Sequence, residues 1–376
     1  MTAISIRQSV YDRACLLAAQ TPFLAVDADQ VIQSYYELLS SVPHAEIFYA
    51  VKANSHTEIV GDLARAGASF DVASQPELEK VLDLGVTPDR IICSNPIKNA
   101  RLLARCAELG IFATVADSVD EIYKIARYAP GTRVYIRLSV DNSGSIVPLN
   151  HKFGVSADEA LKLLVLAREV GLQPIGLSFH VGSQCVKAAN WGRAIQECGK
   201  IWHAAAAQGI DLYFLDLGGG FPIITDPTVA SWDEIGQTIS TAIDTYLPPT
   251  EALRVILEPG RAMVGAAGVM MTTIVGKAQR GDKTWLYLDV GVFNGLMEVL
   301  EGFSYKVKAV DVESEPTVLY TLAGPSCDSY DTIMRDVLLP EMQIGDRLCF
   351  FNAGAYTTEY ASSFNGFDVP TVQILK

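Results

Sequence analysis

Lys52 closes the run Ile47–Val51, "IFYAV", and a lysine at the end of strand-forming residues has two readings. In the plainer one the chain leaves a sheet and the ammonium goes out to water. In the other the amine is desolvated so that it attacks a carbonyl carbon. Three other stretches offer chemistry that suits such an amine. "LDLGGGFP" sets Gly218, Gly219 and Gly220 in a row, so backbone N–H groups can crowd an anion with no Cβ in the way. "LEPGRA" supplies Glu258, a carboxylate, and Arg261, whose guanidinium fork matches a phosphate. "GPSCDS" carries Cys327 in a loop of glycine, proline and serine, away from the apolar runs where a thiol is merely a small hydrophobe. His180 in "LSFHVGS" is either a working imidazole or a satisfied core histidine, and the glycine triplet either an anion cradle or a tight turn.

These groups need a scaffold. Short β-branched and aromatic runs alternate with helical patterns: "IFYAV", "SFDVA", "RIICS", "IFATVA", "RVYIRLSV", "IGLSFHV", "YFLDL" and "RVILEP" each read as a strand, and a helical pattern follows each of the first seven. Eight units in strict βα order with short early loops predict a (β/α)8 barrel, with a doubly wound open sheet as the alternative. On that reading Lys52, Asp71, Ser94, Arg137, His180, the glycine triplet and Glu258 all fall at C-terminal strand ends, the face where barrels build active sites. After Arg261 the pattern changes to strands separated by turns ("MMTTIVGKAQ", "TWLYLDVG", "TVLYTLAG", "DRLCFFNAG", "TVQILK"), which predicts an all-β domain. "TPFLAVD", Thr21–Asp27, precedes the barrel and needs another sheet to pair with. The expected division is a barrel over 28–262 and a sandwich- or barrel-like β domain over 1–27 plus 263–376.

Composition narrows the function classes. The chain has 376 residues, 49% of them hydrophobic, enough for a large core and a second domain. Its seven cysteines are odd in number, scattered singly and without a CxxC pair, which argues against a disulfide framework and against a zinc site, and fits a reducing compartment. Charges interrupt the apolar runs of "MTAISIRQSVYDRACLLAAQ", so neither a signal peptide nor a membrane span is expected, and a cytoplasmic location is. A net charge of -14 disfavours nucleic acid or an anionic membrane as partner.

A phosphate cradle, an amine and a carboxylate in one barrel mouth suggest pyridoxal 5'-phosphate: a lysine to hold the aldehyde, a carboxylate to keep the pyridine nitrogen protonated. The motifs "TPFLAVD", "YAVKAN", "FDVAS", "KFG", "SFHVGS", "LGGGFP", "EPGR", "GPSCDSYD" and "GAYTTEYASSFNGF" together resemble the barrel-type (fold type III) pyridoxal-phosphate decarboxylases, and "GPSCDSYD" with "SFNGF" the ornithine/lysine branch. The resemblance implies an alanine-racemase-like barrel with a C-terminal β domain, and a head-to-tail homodimer whose sites combine one subunit's barrel with the other's β domain. It implies roles by position. Lys52 resembles the Schiff-base lysine, His180 the imidazole on the cofactor ring and Glu258 the partner of the pyridine nitrogen. Ser183, Gly219, Gly220, Arg261 and Tyr356 resemble phosphate ligands, and Asp71 and Arg137 residues that order the surroundings of the lysine. Cys327 resembles the acid that protonates the substrate carbon, and Asp328 the carboxylate for a basic side chain. The barrel racemases place an arginine where Glu258 stands; a carboxylate favours the electron sink.

Substrate choice rests on "GLMEVLEGFSYKV", where the branch presents an acidic residue to the distal amine; Glu301 holds that place here, and Phe364 is carried over as a further pocket residue. Two carboxylates imply a cationic side chain. The expected activity is decarboxylation of ornithine or lysine to a diamine, as in polyamine metabolism. Diaminobutyrate, arginine, diaminopimelate or a biosynthetic conjugate remain open, as does a non-catalytic pyridoxal-phosphate-binding regulatory homologue.

Overall fold

The computed structural model describes residues 10–249, 252–312 and 314–376. The first nine residues, part of the expected β domain and of the segment read as lacking a signal peptide, lie outside the described residues. The described chain divides into two compact units, 10–32 with Met263–Lys376, and Gln33–Ala262. No helix among the described residues is long and apolar enough to cross a membrane.

The larger unit is a closed barrel of eight parallel strands: Ala45–Ala50, Ser69–Asp71, Ile91–Cys93, Ala113–Ala116, Arg133–Leu138, Gln173–Phe179, Phe214–Asp216 and Arg254–Leu257, the last pairing with the first. These are the eight strands read from the sequence. The open-sheet alternative is excluded by that closing pair. Phe48, Ile92, Ala113, Val115, Tyr135, Ile175, Phe214 and Ile256, drawn from all the strands but Ser69–Asp71, form one buried cluster in this unit. Helices start where a side chain takes over an orphan backbone N–H: Ser74, Asn99, Ser118, Ser156 and Ser231 each accept from the residue three positions on. The order is offset by one helix. Ala28–Ser41 precedes the first barrel strand, and only the four-residue turn Arg261–Val264 follows the last.

The smaller unit is a mixed eight-stranded sheet. Its spine is the 13-residue strand Gly268–Arg280, which pairs with Phe23–Asp27 and Arg347–Phe351 along its first half and with Lys283–Leu288 along its second. The register shifts between Ile274 and Gly276, so one strand serves two partner sets. Phe23–Asp27 finds its second partner in Thr371–Leu375. Two strands here carry no sequence signal, Val307–Val310 and Thr332–Leu339.

Candidate active site

The barrel strands deliver an arc of polar groups across four adjacent staves. Lys52 lies in the single 3-10 turn Val51–Ala53 that ends the first strand, and its Nζ is 3.4 Å from Asp71 Oδ2 at the end of the second. Asp71 Oδ1 accepts from the Ser94 backbone N–H (3.1 Å), just past the third strand. Ser94 Oγ then donates to Glu258 Oε1, just past the eighth, and shares a hydrogen bond of 2.9 Å with the Tyr135 hydroxyl. Amine and carboxylate are thus the two ends of one hydrogen-bonded chain, Lys52–Asp71–Ser94–Glu258. Lys52 itself is not desolvated: its side chain is 46% exposed, whereas that of Asp71 is 2% exposed.

Glu258 is buried beside other acids. Burial, and then the negative charge of Asp71, push its carboxyl up to about 7; Lys52 and the hydrogen bond from Ser94 pull the other way. His180 lies at the end of the sixth strand, where its Nδ1 accepts from Gly182 N–H (3.0 Å), which leaves the ring's other nitrogen to carry hydrogen. Burial, with Arg137 and Lys52 nearby, holds its pKa well below the usual histidine range, so the imidazole is neutral. Arg137 sits on the fifth strand, its guanidinium 5.6 Å from the Phe153 ring of the "KFG" turn.

The glycine triplet fills a space that no side chain would fit. A Cβ on Gly219 would stand 2.7 Å from the Glu258 carbonyl oxygen and 3.1 Å from His180 Nε2, and one on Gly220 would stand 2.4 Å from the Gly182 carbonyl. Ser183 begins the short strand Ser183–Cys185, just after the Val181–Gly182 segment against which Gly220 packs, and its Oγ accepts from Arg261 Nη2 (3.2 Å) and Nε (3.3 Å). Arg261 is 4% exposed. A buried cation, a hydroxyl and a crowded run of backbone form a cradle whose chemistry fits a phosphate group, while Lys52, the neutral ring of His180 and Glu258 fit an aldehyde, an aromatic face and a pyridine nitrogen.

The smaller unit presents its own candidates. Cys327 and Asp328 are exposed on the loop between Val318–Ala323 and Thr332–Leu339, and Cys327 is the exposed member of seven free cysteines. Asn365 Oδ1 accepts from both the backbone N–H and the Sγ of Cys327, each at 3.2 Å. Phe364 is 42% exposed beside it, its ring 5.0 Å from that of Phe293. Glu301 closes the exposed end of the turn Met297–Glu301. Tyr356 takes a left-handed conformation (φ 57) and stacks on Tyr360 at 5.8 Å.

Four residues in and beside these networks escaped the sequence reading: Tyr135, Asp331, Asn365 and Asp216, which ends the seventh strand beside Glu258. Asp331 is the clamp of the cysteine loop. Its Oδ1 accepts from Val292 N–H (2.7 Å) and its Oδ2 from Ser326 N–H (2.9 Å), and Gly291 and Gly324 leave it the room, since a Cβ on either would lie within 2.2 Å of Oδ1. Its signal was present in "GPSCDSYD", where a second aspartate follows Asp328.

The family model "Pyridoxal-dependent decarboxylase, pyridoxal binding domain" matches residues 28–265. The lysine/ornithine decarboxylase of Selenomonas ruminantium is 37% identical over 358 residues, 94% of this chain and 89% of that protein. Two solved structures superpose over nearly all of both chains. The lysine/ornithine decarboxylase of Vibrio vulnificus, complexed with putrescine, has a TM-score of 0.87 at 31% identity and covers 100% of this chain and 99% of that one. The arginine decarboxylase of Paramecium bursaria Chlorella virus has a TM-score of 0.91 at 29% identity, covering 98% and 100%.

Proposed function

This chain belongs to the pyridoxal-dependent decarboxylases, and from that premise we propose that it removes the α-carboxyl group of a basic L-amino acid, ornithine or lysine first, to leave the diamine. The observation that carries the reading is the Lys52–Asp71–Ser94–Glu258 arc, which sets an amine and a ring-nitrogen carboxylate at opposite ends of one barrel mouth. Bound pyridoxal 5'-phosphate supplies the sink for the electron pair left when carbon dioxide departs.

The residues then divide the work. Lys52 would hold the cofactor at its aldehyde, with Asp71 and Arg137 ordering the surroundings of the amine. His180, neutral and held by Gly182, offers a flat face with no charge that would compete with the pyridine nitrogen for Glu258. Glu258 holds the proton at that nitrogen. Ser183, Gly219, Gly220 and Arg261, with Tyr356, hold the phosphate. Cys327 Sγ delivers a proton to the substrate α-carbon once carbon dioxide has left. Asp328 and Glu301 meet the distal ammonium and Phe364 covers its methylenes. The working unit is a homodimer in which each barrel mouth is served by the other copy's β domain; the exposure of Cys327, Asp328, Glu301 and Phe364 on the isolated chain supports this.

A substrate panel tests the proposal. Diaminobutyrate, ornithine, lysine, arginine and meso-diaminopimelate are offered to wild type and to Glu301→Ala, with carbon dioxide and amine product both measured. Ornithine or lysine should lead, and Glu301→Ala should lower kcat/KM for the leading substrate by roughly 10- to 100-fold, because an ammonium then enters with one carboxylate fewer. Failure to decarboxylate any basic amino acid, or an unchanged order of preference in Glu301→Ala, overturns it.

A further inference from the structure

Asp216 ends the seventh barrel strand, immediately before the glycine loop, and is 0% exposed. Oδ1 accepts from the Gly218 backbone N–H at 2.8 Å, while Oδ2 is buried with no N–H or O–H donor to bond. An ionised carboxylate left that way forfeits a full hydrogen bond in a dry place. The side chain that Asp216 meets is Glu258, another carboxylate. Gly218 ties the two together, since its carbonyl accepts the Glu258 N–H at 2.9 Å. Two buried carboxyl groups in contact cannot both ionise.

We propose that Asp216 is a neutral carboxylic acid that donates its proton to the Glu258 carboxylate, and is thereby the positioning residue that keeps Glu258 ionised and aimed. The hydrogen stays covalently on Asp216 Oδ2 and the pair carries one negative charge. The ionisable side chains that act most strongly on Asp216 among the described residues favour this. Glu258 and Asp71 are negative, Tyr135 is buried and raised above its ordinary range, and Cys198 is likewise buried and raised, so none supplies a cation to stabilise a second carboxylate. Ser94 supplies Glu258 with its other donor. The role rests on the reading of Glu258 as partner of the pyridine nitrogen; the protonation of Asp216 does not.

The experiment has an arm for each. In cofactor-free protein at pH 8 the infrared spectrum should contain a protonated-carboxyl C=O stretch that Asp216→Asn abolishes; absence of that band in wild type, or its survival in Asp216→Asn, overturns the proposal. Asparagine also reproduces the donor, its Oδ1 taking the Gly218 N–H and its Nδ2 donating to Glu258, so Asp216→Asn should keep kcat/KM within about threefold. Asp216→Ala should lose roughly 30- to 100-fold and shift the acidic limb of the pH profile upward, since a carboxylate with one donor fewer protonates more readily. An equal fall in Asn and Ala overturns the positioning role, and if alanine does not fold, the infrared arm and the asparagine rate still decide. Full turnover in Glu258→Gln would instead unseat the reading of Glu258, with the infrared result standing by itself.

Discussion

The barrel mouth and the cysteine loop hold their working groups in opposite ways. In the mouth the groups join into one part-buried network: Asp71 spans the Lys52 amine and the Ser94 backbone N–H, and the Ser94 hydroxyl spans Glu258 and Tyr135, all on barrel strands or their ends, which cannot shift without opening the barrel. On the smaller unit the groups stand exposed on turns, and two isolated polar side chains fix them, mainly through the backbone N–H groups of the loop. Asp331 pins Ser326 and Val292 through their N–H groups, and Asn365 pins Cys327. The difference teaches which parts are finished within one chain. The mouth is preorganised for a cofactor, whereas the loop carries an exposed thiol and an exposed carboxylate that gain a dry environment only when something closes over them.

Four substitutions probe this contrast, in descending order of expected effect. Lys52→Ala should reduce turnover by roughly four orders of magnitude, since it removes the nucleophile itself. Borohydride reduction and peptide mass spectrometry of the wild-type holoenzyme should find the pyridoxyl label on Lys52, and a label on another lysine would move the site out of this mouth. Glu258→Gln should fold, bind the cofactor and turn over about 100-fold more slowly, because an amide cannot hold the ring proton as a carboxylate does. It also has a stability signature. The folded pKa of Glu258 lies near 7, above the ordinary value of 4.5, so its contribution is fully present below pH 4.5 and is lost as pH rises through 7. Cofactor-free Glu258→Gln should therefore be more stable than wild type at pH 8, by up to about 3 kcal/mol at 1.36 kcal/mol per unit, in denaturant titrations. A wild type no less stable than the variant would mean the carboxylate is not desolvated.

Cys327→Ala, on the loop side of the comparison, should still release carbon dioxide. The amine should form roughly tenfold more slowly, with part of the product diverted to aldehyde and pyridoxamine phosphate. Clean amine at the wild-type rate would remove the thiol from the reaction. Asp331→Asn is the mildest: one of the two backbone N–H groups then faces an amide NH2, at a cost of about 1–3 kcal/mol. Alkylation of Cys327, followed by mass spectrometry on cofactor-free protein, should quicken a few-fold. An unchanged rate would show that the loop keeps its shape without the clamp.

Much of the barrel was legible because its signals are local. Each strand is a short apolar run, five of the helices open on a serine or asparagine, and Lys52, Asp71, Ser94, His180 and Glu258 each sit at the last residue of a strand or within two residues past it, so periodicity alone gathered them on one face. Asp216 was hidden for the opposite reason. Its partner Glu258 lies 42 positions later, and only the pairing of the seventh strand with the eighth brings them together. Thr332–Leu339 was missed because Arg335 and Asp336 are consecutive exposed residues, Asp336 has φ 54, and register shifts on its partner strand break the period of two. Val307–Val310 is four residues long and includes an exposed lysine, too little to separate from a turn.

The strand Phe23–Asp27 bears on how this chain is made. All five of its residues are buried in the finished sheet, yet its partners Gly268–Met271 and Thr371–Leu375 are translated about 240 and 340 residues later. At roughly 5–20 residues per second, the ribosome has the whole barrel emerging while that apolar edge waits about 20–70 s for its second neighbour. During that interval the segment is a template for any other extended chain nearby. Slow or crowded synthesis thus penalises this protein at a strand far from the chemistry, and a chaperone that shelters that nascent strand would raise the yield more than one that acts after release.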